Sequence, residues 1–391
     1  MISPIEKVEV LKLREDPETI VFEDDLDGSV ETVVIRITDS DGRCGIGECD
    51  APPEAVDSYL NMHSAHSMSQ NMVKLLIGED PVETGGLWRK LYDGTQYPGR
   101  RGFGIHVLSA IDIALYDLAG KQLGLPAYKL MGGALRTELT PYSTVFQGLP
   151  QGRNVDEMMD VTETLLKQAM DIGFRAIKLE VIFEDLVSDD GLVDCIKAGR
   201  QIVGPDITLM LDFGYRWHDW RQAAVTLEKL RDENIYFSEA ALQHDDLLGH
   251  AKLAERAPMR VCGAEHAATR WEIREWIEVG GVDVVQPDIN RCGGLTEIRR
   301  IAEMCELAGV LCIPHGYKTG ITGACGQTFQ ASCPAAPYFE YLAPELSRSQ
   351  LRKNLLRSEA SVRKDGTMPL PSKPGLGIEL DDDTVVKYLL P

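Results

Sequence analysis

The chain has 391 residues, 44% hydrophobic and 26% charged, a balance that suits a globular protein with a large core. At about 150 residues per domain, that length holds two or three domains, or one α/β barrel with a smaller module. Forty Lys and Arg against 61 Asp and Glu give a formal net charge of −21, which repels phosphate backbones, so no nucleic-acid partner is expected. No unbroken apolar run reaches the roughly 18 residues of a membrane span, and Met1-Ile2-Ser3-Pro4-Ile5-Glu6 lacks the basic-then-apolar pattern of a signal peptide. The nine cysteines are odd in number and never spaced CxxC. They read as small buried hydrophobes of a reducing compartment, so the expectation is a cytoplasmic protein without zinc or disulfides.

The first segments predict strands. Residues 6–13 and 31–38 are rich in alternating and β-branched apolar residues, and Asp41-Gly42 separates the second run from Arg43–Glu48 as a hairpin turn does. The acidic stretch between them, Glu15–Asp27, reads as a mobile loop. From Pro53 to about Gly120 the pattern is helical, with Ile105, Leu108, Ile111, Leu115 and Leu118 along one stripe. This predicts an N-terminal α+β module over residues 1–128.

After Gly132-Gly133, short apolar runs alternate with amphipathic helices. The runs are 174–180, 206–212, 235–239, 261–265, 282–288 and 310–315. Between them, Asn154 caps a predicted helix with Met158, Val161, Leu165 and Ala169 inward and a stop at Gly173. A second runs from Thr296 to Ala308 with Ile298, Ile301 and Cys305 inward. Regular alternation with nearly continuous apolar strands means a parallel sheet covered on both faces.

Each run ends in a chemically capable side chain: Lys178 and Glu180, Asp212, Glu239, Glu265, Asp288 and His315. From Glu180 onward the gaps are 32, 27, 26, 23 and 27 residues, about one βα unit each. Only a closed barrel gathers all of them on one rim; an open sheet collects two or three at its switch point. The fold class predicted is therefore a TIM-type barrel over residues 129–364.

Asp212, Glu239 and Glu265, on three successive strand ends, form a hard oxygen-only set suited to Mg2+. Taken singly, each reads equally as a helix cap or loop residue. His266 reads as a packing residue or a support to a neighbouring ligand rather than as a ligand itself, because successive strand residues face opposite ways. Asp288 and His315 suit a base dyad in which the carboxylate fixes the imidazole tautomer, or a structural hydrogen bond. Lys178 and Glu180 share a face. The lysine either holds a substrate carboxylate or transfers protons, or the two form an ion pair at the barrel mouth. Glu340, about 25 residues past His315, sits where an eighth strand would end, as an acid toward a substrate oxygen or as a rim residue. A metal, a base dyad and a carboxylate holder suggest removal of a proton α to a carboxylate, through an enediolate.

The order Lys178-x-Glu180, Asp212, Glu239-Ala240, Gly263-Ala264-Glu265, Gln286-Pro287-Asp288, Pro314-His315-Gly316 and Glu340 resembles the enolase superfamily, mandelate racemase subgroup. Tyr97-Pro-Gly-Arg-Arg101, His106-x-x-Ser109-Ala-Ile-Asp112 through Asp117, and Lys373-Pro-Gly-Leu-Gly-Ile-Glu379 carry the resemblance over nearly the whole chain. Glu265-His-Ala-Ala-Thr-Arg-Trp271 and the tail resemble acid-sugar dehydratases, rhamnonate dehydratase-like members in particular. The resemblance implies a modified (β/α)7β barrel, a capping module whose loops, including 15–29, close over the mouth, and a tail of about 365–391 returning to that cap. It also implies Mg2+, a small carboxylate substrate and a symmetric homo-oligomer.

One position departs from the pattern. Racemases of the family carry Lys-x-Lys where this chain has Lys178-x-Glu180. A racemase needs proton donors and acceptors on both faces of the α-carbon, whereas a dehydratase manages with His315 alone. The expected activity is therefore Mg2+-dependent dehydration of an acid sugar to a 2-keto-3-deoxy acid. Glu180 is then a substrate-binding residue, or a base if its pKa is raised. A racemase, epimerase or cycloisomerase is the alternative, and a non-catalytic binding barrel a third reading, disfavoured because a binder has no use for a base dyad.

Overall fold

The computed structural model describes residues 2–15 and 30–391, so the acidic loop lies outside the described residues except for Glu15. That residue is buried and accepts from Ser349 Oγ at 2.8 Å. Strands β1 (Ile5–Arg14), β2 (Glu31–Asp39) and β3 (Cys44–Cys49) form an antiparallel sheet in the order β1-β2-β3. Gly42, with φ +82°, supplies the left-handed residue of the β2–β3 turn.

Across this sheet lies the helix Phe103–Leu123. The amphipathic stripe predicted for it is too narrow, since nearly every position from Gly104 to Gly120 is buried. The reason is that it packs on two sides. A Cβ on Gly47 of β3 would stand 2.0 Å from Ala110 O, so only glycine lets strand and helix approach this closely. On its other side, Asp112 Oδ2 accepts from Thr296 N–H at 2.8 Å, and Ser109 Oγ accepts from Gly293 N–H at 2.8 Å. This is the one helix among the described residues long and apolar enough to cross a membrane, although His106, Asp112 and Asp117 interrupt its apolar run. With 89% of its most apolar stretch buried, it is a core helix.

β4 (Glu138–Leu139) pairs antiparallel with the distant β13 (Met368–Pro369). Between them run eight parallel strands: β5 (Pro141–Val145), β6 (Ala176–Glu180), β7 (Thr208–Asp212), β8 (Ile235–Glu239), β9 (Arg260–Gly263), β10 (Val284–Val285), β11 (Leu311–Cys312) and β12 (Phe339–Glu340). Each pairs with its predecessor except β12, which pairs with β5, so the sheet curls round on itself. No ladder joins β11 to β12; Cys312 N–H instead donates to Ala335 O at 3.0 Å across that seam.

The helix Val155–Ile172 starts at an Asn154–Glu157 capping box and stops at Gly173. Its buried face is Met158, Thr162, Leu166 and Ala169, one residue round from the predicted stripe. The helix Gly294–Ala308 buries Ile298, Ile301 and Cys305 as expected and ends at left-handed Gly309. The segment after β13 runs back to the N-terminal module. Leu376 N–H donates to Asp117 Oδ1 at 2.9 Å, and Leu390 N–H to Lys12 O at 2.8 Å. All nine cysteines are free, and eight of them are buried.

Candidate active site

The barrel interior is plugged by Tyr142, Ala176, Met210, Phe237, Cys262, Val284 and Ile313. A strand has a side-chain period of two, so the residue two positions further on faces the same way at the rim. That step leads from Ala176 to Lys178 and Glu180, from Met210 to Asp212, and from Phe237 to Glu239. It likewise leads from Val284 to Gln286 and Asp288, from Ile313 to His315, and from Tyr142 to Thr144. Glu265 breaks the parity, lying three residues past Cys262. Ala264, with φ +85°, turns the backbone left-handed just before it, a conformation that costs a non-glycine residue about 1–3 kcal/mol. The strand has ended at Gly263, so strict alternation does not govern His266, and its Nε2 lies 3.3 Å from Glu265 Oε1, in a supporting place beside that carboxylate.

Lys178 is buried, with Nζ 2.8 Å from Glu239 Oε2, 3.2 Å from Glu340 Oε1 and 3.5 Å from Asp212 Oδ2. It makes no ion pair with Glu180, which corrects one of the two sequence readings. Burial alone would lower its pKa, but the Glu239, Glu340 and Asp212 carboxylates more than offset this and hold it well above the usual range. Opposite it, His315 Nδ1 lies 2.7 Å from Asp288 Oδ2, and Nε2 lies 3.2 Å from Glu265 Oε2. Glu340 Oε2 accepts Gly316 N–H at 2.7 Å, and Oε1 accepts the Thr144 hydroxyl.

Carboxylates outnumber cations in this space. Burial pushes Glu239 up to about 8 against the pull of Lys178, and Asp212 moves upward for the same reason. Glu180 rises well above its usual range through burial and the nearby Asp212 charge. Against burial, Glu340 and Glu265 push His315 up to about 10, helped by its bond to Asp288. Glu265 itself falls to about 2 despite burial, held down by His315 and Arg291.

The donor set fits a hard divalent cation. Asp212, Glu239 and Glu265 offer only oxygens, their negative charge is under-compensated, and Glu239 Oε1 is buried without a hydrogen-bond partner. The three are not drawn together round one point: among the described residues, no three His, Cys, Asp or Glu side chains stand in metal-holding geometry. A cavity of about 800 Å3 opens beside them, with Glu180, Asp212, Tyr215 and Glu265 in its wall.

Several neighbours have no role assigned from the sequence, Gln286 standing there only as part of a motif. Gln286 Nε2 donates to Glu239 Oε2 at 2.7 Å, and the same two-residue step that gives Asp288 would have found it. Tyr215 donates its hydroxyl to Glu265 Oε1 from a backbone with φ +61°, which has no sequence signature. Asp50, at the end of β3, meets Arg291 at 2.6 Å and Lys318 at 2.7 Å, bringing the cap to within one residue of the His315–Asp288 pair.

An eight-stranded parallel barrel with an α+β cap and carboxylates on successive strand ends defines the enolase type of enzyme. Residues 161–384 match the enolase C-terminal domain-like family model, and residues 14–132 match the mandelate racemase / muconate lactonizing enzyme N-terminal domain; the chain belongs to this family. It is 31% identical to the D-galactarolactone cycloisomerase of Agrobacterium fabrum over 92% of this chain and 91% of that one. The arabinonate dehydratase of Saccharolobus solfataricus matches equally, at 31% identity over 92% of this chain and 91% of that one. An L-rhamnonate dehydratase is also among its relatives. A solved structure provisionally described as a racemase shares 40% identity and superposes with a TM-score of 0.92, covering 99% of this chain and 98% of that one.

Proposed function

We propose that this enzyme is a Mg2+-dependent dehydratase of an acid sugar in the cytoplasm, removing the proton α to the carboxylate and expelling the β-hydroxyl. Asp212, Glu239 and Glu265 would hold the cation, which when bound supplies positive charge to the carboxylate end of the substrate. The observation that carries the reading is the 2.7 Å His315–Asp288 pair, with no lysine at position 180. Asp288 accepts from Nδ1, which leaves Nε2 as the nitrogen that takes the α-proton. The carboxylates around His315 stabilise the imidazolium formed once it has taken that proton, which suits its second duty of returning the proton to the departing hydroxyl. Lys178, kept charged by its three carboxylates, holds Glu239 and Glu340 in place and presents a fixed positive charge beside the substrate carboxylate. Glu340, fixed by Thr144 and Gly316, stands next to both.

A second reading, racemisation or cycloisomerisation, draws on Glu180 and on the activities named for the relatives. Its carboxyl, pushed upward beside Asp212, would serve as the proton carrier on the face opposite His315.

The test is a panel of acid sugars incubated with the enzyme and Mg2+ in deuterium oxide. The dehydratase gives a 2-keto-3-deoxy acid carrying solvent deuterium at C3, and recovered substrate shows no epimer. A deuterium-labelled C2 epimer formed without keto acid overturns the reading in favour of the second.

A further inference from the structure

Arg291 stands where the cap, the Glu265 carboxylate and the His315–Asp288 pair meet. It follows Asp288 by three residues, and its backbone N–H donates to Asp288 O at 3.0 Å. The side chain is partly buried and divided among three neighbours. Nε donates to Asp50 Oδ2 of the cap at 2.6 Å, and Nη2 also lies 2.6 Å from that oxygen. Nη1 meets His266 Nδ1 at 3.2 Å. Nε is 3.8 Å from Asp288 Oδ2, the same oxygen that His315 Nδ1 meets at 2.7 Å.

A guanidinium only donates, which fixes the sense of each contact. His266 Nδ1 has to accept, so the proton of the neutral ring sits on Nε2, 3.3 Å from Glu265 Oε1. Tyr215 donates to that same oxygen. Both groups therefore hold Oε1 and leave Oε2 turned toward His315, 3.2 Å away. The approach to Asp288 works the other way. Asp288 Oδ1 is taken by Asn290 N–H at 2.6 Å, so Oδ2 is the oxygen that holds the imidazole. A charged donor drawn about 1 Å nearer would compete with His315 for it. Asp50 holds that donor back, and Lys318 anchors its other oxygen at 2.7 Å.

Resting on the reading of Glu265 as a metal ligand and His315 as the base, we propose that Arg291 is a positioning residue whose place is set by Asp50 of the cap. Held there, the guanidinium props Glu265 through His266 and stays off the Asp288 oxygen that His315 needs. The cap then completes the site as well as covering it.

The test follows Mg2+ binding to the full chain by calorimetric titration without substrate, and turnover on the acid sugar that the panel identifies. Arg291→Gln and His266→Ala should each weaken Mg2+ binding about tenfold. The variant carrying both should bind no more weakly than Arg291→Gln alone, because both changes break one chain of contacts. Asp50→Ala frees the guanidinium, so kcat should fall about 100-fold while KM stays within about threefold. Removing the freed group should restore part of this: the Asp50→Ala, Arg291→Gln variant should turn over about tenfold faster than Asp50→Ala. A pair that only fastens cap to barrel gives a double variant no faster than Asp50→Ala, and that result overturns the proposal. Additive losses of Mg2+ affinity overturn it too, as does full-strength Mg2+ binding in His266→Ala. The exposed ring of His266 keeps that last measurement open even where the Asp50 variants do not fold. If no acid in the panel yields keto product, the dehydratase reading fails, and the Mg2+ titrations alone decide this proposal. Absence of Mg2+ binding by the unmodified enzyme overturns it together with the metal assignment.

Discussion

Replacing Lys178 with Met keeps most of the side-chain stem and removes its charge. The ammonium is 1% exposed and lies within 3.5 Å of three carboxylates, on Glu239, Glu340 and Asp212. Breaking a buried ion pair by deleting one partner costs about 3–5 kcal/mol, because the remaining charge has nothing to offset it. Here three charges are left, so the upper part of that range applies. Protonation relieves part of the cost: Glu239, already pushed up to about 8, takes up a proton more readily still once the lysine is gone. The destabilisation should therefore be larger at pH 9 than at pH 6. At about 2–3 °C per kcal/mol, the thermal midpoint in the presence of a chelator should drop by roughly 6–15 °C. Mg2+ should then raise the variant's midpoint by more than it raises that of the unmodified enzyme, because it supplies charge the variant lacks. Turnover should fall by about two orders of magnitude even with Mg2+ present. Differential scanning fluorimetry across pH and Mg2+ concentration reads the stability terms. A midpoint in chelator within a degree or two of the unmodified enzyme would refute the ion-pair argument, and equal Mg2+ shifts in both proteins would remove Glu239 and Asp212 from the metal site.

His315→Asn should lower kcat by several decades, each worth about 1.4 kcal/mol, while Asp288→Asn should cost less because it disturbs only tautomer and basicity. Single-turnover rates on the true substrate check this, and near-normal turnover in His315→Asn counts against the dyad. Asp112 gives a prediction away from the chemistry: burial raises its carboxyl from 3.8 to about 7, against the hydrogen bonds from Thr296. The folded protein therefore binds a proton there that the unfolded chain releases between about pH 4 and 7, so this residue's contribution to stability falls as pH rises through that window. Asp112→Asn should remove that slope, at most about 4 kcal/mol, in urea melts from pH 4 to 8. An unchanged slope in the variant would show that Asp112 is not its source.

The rim was legible because strand ends repeat at one βα unit and the chemistry-bearing residues share the parity of the barrel plug. Lys178, Asp212, Glu239, Asp288, His315 and Glu340 all follow from that rule. Departures of the backbone from that rule carry no sequence signature: the left-handed Ala264 sets the turn that places His266 against Glu265, and Tyr215 bends toward the same carboxylate. The first barrel strand was missed altogether. Pro141-Tyr-Ser-Thr-Val145 is too polar to read as a buried strand, and Thr144 is accommodated inside the barrel because its hydroxyl is bonded to Glu340. The stripe read for Phe103–Leu123 is buried throughout but is only part of the buried surface, because a helix covered on several sides has no polar face to delimit it.

That helix belongs to both halves of the molecule. β3 lies against it through Gly47, the loop opening the helix Gly294–Ala308 is tied to Ser109 and Asp112, and the segment after β13 is tied to Asp117. Cap and barrel are therefore poor units of exchange. A chimera that grafts a relative's cap onto this barrel, cut near residue 128, carries in a foreign helix whose partners on the barrel side were shaped for another surface. Recombination within the family should succeed only where Ser109, Asp112 and Asp117 travel together with residues 293–296 and 375–376, so that inheritance follows the contacts of one helix rather than the boundary between two domains.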